Sequence, residues 1–172
     1  MDPNLNIRFS GYSDNLIEGI ATRSLLYISE QALHNTLNVN QSRGMVMDQL
    51  LRFMGYREEY LRPDAPSYIQ PTDSSAADVN SLVNRAQPIY SNEQLQWPFD
   101  PESITVPVRA REEFQLTLYC KARSNRDIGA GQRVGLLTRW DAVKLNSMYC
   151  PEQVGYADPR MGPCVVPRRK AG

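Results

Sequence analysis

Apolar positions recur with a helical period in the first half of this chain and with a strand period near residue 110, and the change divides it. From Ile17 onward, Ile20, Ala21, Leu25, Ile28 and Ala32 return every three or four residues, which predicts an amphipathic helix through about Leu37, capped by Ser13 or Asp14. Asn38, Asn40 and Ser42 then read as a polar break. In a second predicted helix Val46, Leu50, Phe53, Met54, Arg57 and Leu61 share one face, and Pro63 stops it. Gly55 within that run costs about 1 kcal/mol relative to alanine, so a break or a close helix contact is expected there. Residues 63–74 read as a loop. Ser75 and Asp78 have the spacing of a capping box and open a short helix with Val79, Leu82, Val83 and Ala86, closed by Pro88.

Residues 88–103 carry three prolines with Tyr90, Trp97 and Phe99 among them, rings expected to be buried despite the irregular backbone. Ile104, Val106 and Val108 then alternate with Thr105 and Pro107, the pattern of an edge strand. Phe114, Leu116, Leu118 and Cys120 alternate strictly with Gln115, Thr117 and Tyr119, predicting a half-buried antiparallel strand. The two segments are expected to form a hairpin turning through residues 109–113, covered by helices or by a partner. After Gly129-Ala130-Gly131, the positions of Val134, Leu136, Leu137, Trp140, Val143 and Leu145 predict a last amphipathic helix.

The fold class expected is therefore α+β: a mainly helical body with a small antiparallel β hairpin, spanning residues 13–149, between an extended N-terminal arm (1–12) and an extended basic C-terminal tail (150–172). Ten of the twelve prolines fall in three clusters, the last of them in that tail. Both arms are too proline-broken and too sparsely apolar to anchor themselves, and neighbouring subunits are their expected holders.

Charge sharpens this picture. The formal net charge is zero, but residues 121–172 hold ten Lys/Arg against four Asp/Glu and the remainder carries the opposite surplus. Such a split suits contact between copies or a basic face for an acidic partner, and equally an ordinary solvated surface. No apolar run approaches the roughly 20 residues that span a bilayer, so no membrane is expected. The N-terminus lacks a secretory pattern. Three cysteines without close spacing argue against a disulfide framework, and a reducing or intracellular setting is expected.

Candidate chemistry is sparse. His34, the single histidine, has no nucleophile motif around it and reads as an ordinary surface or structural residue. Cys120, Cys150 and Cys164 lack zinc-ligand spacing, and Cys120 reads as a small core residue. The carboxylate pairs Glu58-Glu59 and Glu112-Glu113 read as solvated charge. The glycines at 129, 131 and 135 are spaced GxGxxxG, a turn and helix start rather than a phosphate loop. Arg133 and Arg139 flank Trp140 as a basic, aromatic patch without a named motif. An enzyme of unfamiliar type would need Arg133, Asp141, Tyr149 or Glu152 to converge in a pocket.

No catalytic residue, metal or cofactor is assigned. The function expected is that of a non-enzymatic structural or interaction subunit of a large assembly. A virion component, such as a capsid-associated, neck or tail-connector protein of a phage-like virus, is its natural form, assembled in the host cytoplasm from copies of itself and other proteins. The alternative is a nucleic-acid-binding accessory protein. In both readings Arg160, Arg168, Arg169 and Lys170 are the contacts for nucleic acid or an acidic partner.

Overall fold

The computed structural model describes residues 28, 30–34, 38–72, 89–121 and 124–165. Within them run helix α1 (Val39–Phe53), strand β1 (Ile69–Pro71), helices α2 (Asn92–Leu95) and α3 (Ala110–Glu113), strand β2 (Phe114–Leu116), and helices α4 (Ala130–Val134) and α5 (Arg139–Tyr149), joined by short 3-10 turns. The fold is α+β and mainly helical. The helix expected over 75–87, the N-terminal arm and residues 166–172 lie outside the described residues, as does most of the first expected helix. What is described of that first helix is a 3-10 turn, Glu30–Leu33.

The main helix starts where a break was expected. Asn38 is its N-cap, its side-chain oxygen accepting from the Gln41 N–H at 2.9 Å. Gly55 ends it, at φ +94°, a left-handed conformation that glycine adopts without strain, and the chain turns well before Pro63. The expected apolar face is also displaced. Leu50, Phe53 and Met54 are exposed at 42%, 38% and 48%, whereas Gly44, Asp48, Gln49 and Leu51 are buried. The cause is a backbone contact: a methyl group at Gly44 would overlap the Gln132 carbonyl of α4, so the bare glycine backbone sets the inner face of α1.

The expected hairpin is replaced by another pairing. β2 runs antiparallel to β1, with Ile69 opposite Leu116 and Pro71 opposite Phe114, so the partner strand comes from the segment read as a loop. Residues 104–108 form buried turns instead of an edge strand. Side chains take the amides that a ladder would use: Ile104 N–H donates to Asp141 Oδ2 at 2.9 Å and Thr105 N–H to Ser103 Oγ at 3.2 Å. Strict alternation also fails beyond Leu116, and Leu118 is 88% exposed.

One apolar core gathers Tyr68, Ile69, Phe99, Val106, Phe114, Ile128 and Cys164, with Tyr68 stacked on Phe99 at 5.0 Å between ring centroids. A smaller one holds Leu51, Tyr56 and Ile104. Of the aromatic residues in 88–103, Phe99 is fully buried, and Trp97 and Tyr90 are half-buried and hydrogen-bonded to Ser147 Oγ and the Glu58 carbonyl.

Two expectations about the C-terminal end are corrected. Cys120 and Cys164 form a disulfide across 44 residues of sequence. Residues 150–165 are not a free tail, because Cys164 is fully buried and backbone bonds join Lys121 N–H to the Pro163 carbonyl and Val165 N–H to the Tyr119 carbonyl. Spacing along the chain concealed both, since pairing depends on the distance between Cα atoms in the fold.

Candidate functional site

Two adjoining constellations concentrate the charged side chains of the described residues. The first lies on the inner face of α1. The Arg52 guanidinium grips Asp48 through two parallel bonds, Nε to Oδ1 at 2.9 Å and Nη2 to Oδ2 at 2.6 Å, and its Nη1 reaches Glu58 Oε1 at 2.8 Å. Asp48 and Arg52 are one helical turn apart, and Gly55 swings the chain so that Glu58 returns to the same point. Burial pushes the Asp48 carboxyl up to about 6, against the pull of Arg52.

Asp48-Gln49-x-x-Arg52-x-x-Gly55-x-x-Glu58 can be laid on the His-Glu-x-x-His-x-x-Gly-x-x-His pattern of a class of zinc proteases, but Gly55 is the one residue the two share. There, two histidines a turn apart and a third beyond the glycine converge on the metal, and the glutamate serves as general base. Here the geometry of convergence is present with other side chains on it. The three ligand positions hold an acid, a base and an acid, and Gln49 stands at the position of the glutamate.

The second constellation is deeper. Glu59 Oε1 accepts from Lys144 Nζ at 2.5 Å, Arg62 Nη1 at 3.0 Å and the Asp100 N–H at 3.0 Å. Arg62 also grips Asp64 and donates to the Trp97 carbonyl. Asp141 follows the N-cap Thr138 of α5 in a reciprocal capping box, and its two oxygens further accept from Tyr56 Oη, Ser103 Oγ and Ile104 N–H. Thr138 Oγ1 in turn donates to Asp100 Oδ2 at 2.5 Å. Glu59, Lys144, Asp141 and Tyr56 have no solvent exposure at all.

Three buried carboxylates, Glu59, Asp100 and Asp141, thus share the interior with two buried cations, Lys144 and Arg62, and Arg62 is also paired with Asp64. The negative surplus falls on Asp100. Burial first, and then the neighbouring Asp141 charge, push its carboxyl up to about 7. Burial and Asp141 likewise hold the Tyr56 phenol well above its ordinary value. The network ties the turn after α1, the loop around Asp100 and the start of α5 into one unit. Glu59, Arg62, Asp100, Asp141 and Lys144 are buried, so the network fixes three segments of the fold from within, with Asp64 and Thr138 at its partly exposed edge.

The residues singled out from sequence disperse. Arg160 is exposed and paired with Asp158 at 2.8 Å, and Arg168, Arg169 and Lys170 lie outside the described residues. His34 is exposed. Asp141 is buried in the network, Tyr149 Oη donates to the Met54 carbonyl at the surface, and Glu152 is exposed, so these do not share one pocket. Arg133 lines an open cavity, and Arg139 lies over the Trp140 ring at 5.7 Å. Gly129, at φ +67°, caps α4, so the glycine segment is a turn and a helix start. Glu58-Glu59 is corrected: Glu58 is largely buried against Arg52, and Glu59 is the hub of the core network.

No family model, no curated protein and no solved structure matches this chain. Among the described residues no helix is long and apolar enough to cross a membrane.

Proposed function

We propose that this protein is a non-enzymatic interaction protein, acting through its surfaces as a subunit of a larger assembly. The observation that carries this reading is the closed Asp48–Arg52–Glu58 triad. A hydrolytic zinc centre on this helix and turn needs a lone-pair donor, imidazole or carboxylate, at each of the three ligand positions and a carboxylate base beside the first. A guanidinium offers no lone pair and stays protonated, and an amide takes up no proton, so Arg52 and Gln49 supply neither function. The acids that flank Arg52 are spent on neutralising it. The same helix and turn then serve as scaffold, and what remains for function is the exterior.

The Cys120–Cys164 bond supports oxidising surroundings, among which a virion surface, the narrower setting expected from the sequence, is one and the exterior of a cell another. The assembly half of the reading is tested on the native protein: recovery of a free monomer that never enters a larger particle removes it. The non-enzymatic half is tested by metal content and turnover. After dialysis against Zn²⁺ the wild type is expected to retain no stoichiometric zinc and to leave a mixed peptide pool intact. The triple variant D48H/R52H/E58H is expected to take up about one zinc ion per chain, since three converging imidazoles suffice for a site with an open position. Stoichiometric zinc in the wild type with peptide cleavage, both abolished by Glu58→Gln, overturns it.

A further inference from the structure

We infer that the cavity between α3 and the 125–133 segment binds a small oxyanionic ligand through Arg126 and Arg133. The cavity measures about 580 Å³, opens to solvent, and is lined by Arg111, Glu112, Asn125, Arg126 and Arg133. That volume is within the range of about 300–1,000 Å³ usual for small-molecule sites. Three guanidinium groups share it with one carboxylate, and that carboxylate does little to neutralise them: Arg111 and Glu112 approach only to 3.6 Å and are 40% and 72% exposed. Among the described residues neither Arg126 nor Arg133 has an ion-pair partner.

The decisive atom is Arg133 Nη1, which is shut off from solvent and has no hydrogen-bond acceptor. A charged donor in that state has lost its water without replacement, and because a ligand oxygen is no smaller than a water, it restores the bond once the Arg133 side chain turns Nη1 toward the cavity. Asn125 adds a neutral donor: its side-chain oxygen is committed to the Leu116 N–H at 3.0 Å, which leaves the amide NH₂ group free to donate. Forked guanidinium groups beside an amide donor are suited to the paired oxygens of a carboxylate, sulfate or phosphate group. The site is independent of the reading proposed above, because it shares no residue with the α1 triad or the buried network.

The test is titration of the full chain with sulfate, inorganic phosphate and glutarate at constant ionic strength, followed by ¹H–¹⁵N amide shifts. Saturable shifts confined to residues 110–134 are expected, and whether glutarate or the tetrahedral anions bind better assigns the ligand as a carboxylate or as a sulfate or phosphate. Arg133→Gln is expected to weaken binding about tenfold or more, as loss of a charge-assisted bond should. Arg126→Gln, at an exposed position that spares the fold, is expected to weaken it several-fold, and Lys121→Gln, exposed and outside the cavity, to leave it unchanged. Absence of saturation with all three anions, or equal weakening by Lys121→Gln and Arg126→Gln, overturns the site.

Discussion

Lys144 Nζ lies 2.5 Å from Glu59 Oε1, and neither side chain reaches solvent. Such a pair is strongly coupled because each ion is tolerated in the interior only through the other. Glu59→Gln leaves a buried ammonium facing an amide and is expected to cost about 3–5 kcal/mol in urea unfolding. Lys144→Met is expected to cost less, since Arg62 still faces Glu59 at 3.0 Å. The double variant should be more stable than the sum of the two losses implies, by at least about 1 kcal/mol. Additive losses would show that the two charges do not depend on each other.

The raised Asp100 carboxyl fixes the sign of a pH dependence. With its value at about 7 in the fold and an ordinary one near 3.8 in the unfolded chain, the folded state binds more protons between these limits. Stability contributed by this group is therefore full below about pH 4, falls as pH rises towards 7, and is level above. The slope is at most about 1.4 kcal/mol per pH unit. Asp48, pushed up to about 6, acts in the same direction. Asp100→Asn removes the titration but keeps an oxygen for the Glu102 N–H. Urea midpoints measured from pH 4.5 to 7.5 should show the wild type losing ground to Asp100→Asn as pH rises. A constant gap would refute the assignment.

How much of this was legible follows from what burial rewards. The α+β class and the strand at Phe114 follow from apolar periodicity and the burial of Phe99 from the area its ring removes from water, whereas the helix around residues 46–53 shows in the period although the face it buries does not. The polar interior does not show in that pattern. Asp48, Glu59, Asp100, Asp141 and Lys144 read as surface in any hydropathy count, and only their mutual distances make them core. The one sequence sign of the α1 triad is the four-residue spacing of Asp48 and Arg52, since only the turn at Gly55 returns Glu58 to the same point. The β1–β2 pairing and the disulfide depend on contacts between distant segments, to which local alternation is blind.

Gly44 is where α1 and α4 touch backbone to backbone. A methyl group there would overlap the Gln132 carbonyl, and main chain cannot swing aside as a flexible side chain can. Gly44→Ala is expected to cost about 3 kcal/mol, at the upper end of ordinary overpacking, despite the better helix propensity of alanine. Gly155 provides the contrast. It has a positive φ of +61°, but nothing stands within 4 Å of its missing Cβ. Gly155→Ala should cost only the left-handed backbone strain, about 1–2 kcal/mol. Thermal unfolding of both distinguishes steric contact from backbone strain, and a Gly44→Ala loss no larger than that of Gly155→Ala would show that the helices can separate freely.

The disulfide makes the C-terminal segment part of the body, and its contribution can be sized. Closing a loop across the sequence separation of 44 from Cys120 to Cys164 restricts the unfolded chain by about 4 kcal/mol in the chain-entropy model. Strain and residual structure usually reduce this, so a loss of about 2–4 kcal/mol is expected for Cys120→Ser/Cys164→Ser. Thiol titration gives an independent check. Cys150 is exposed and unbonded, so the native protein should react with one equivalent of a thiol reagent, and the reduced, unfolded protein with three. Amide exchange should then locate the effect: in the double variant, protection is expected to fall at Lys121 and Val165, whose N–H groups bond across the bridge. The bonds around Glu59 and Asp141 belong to a separate network and should keep their protection. Three reactive thiols in the native protein, or a double variant as stable as the wild type, would show that residues 150–165 are held by packing alone.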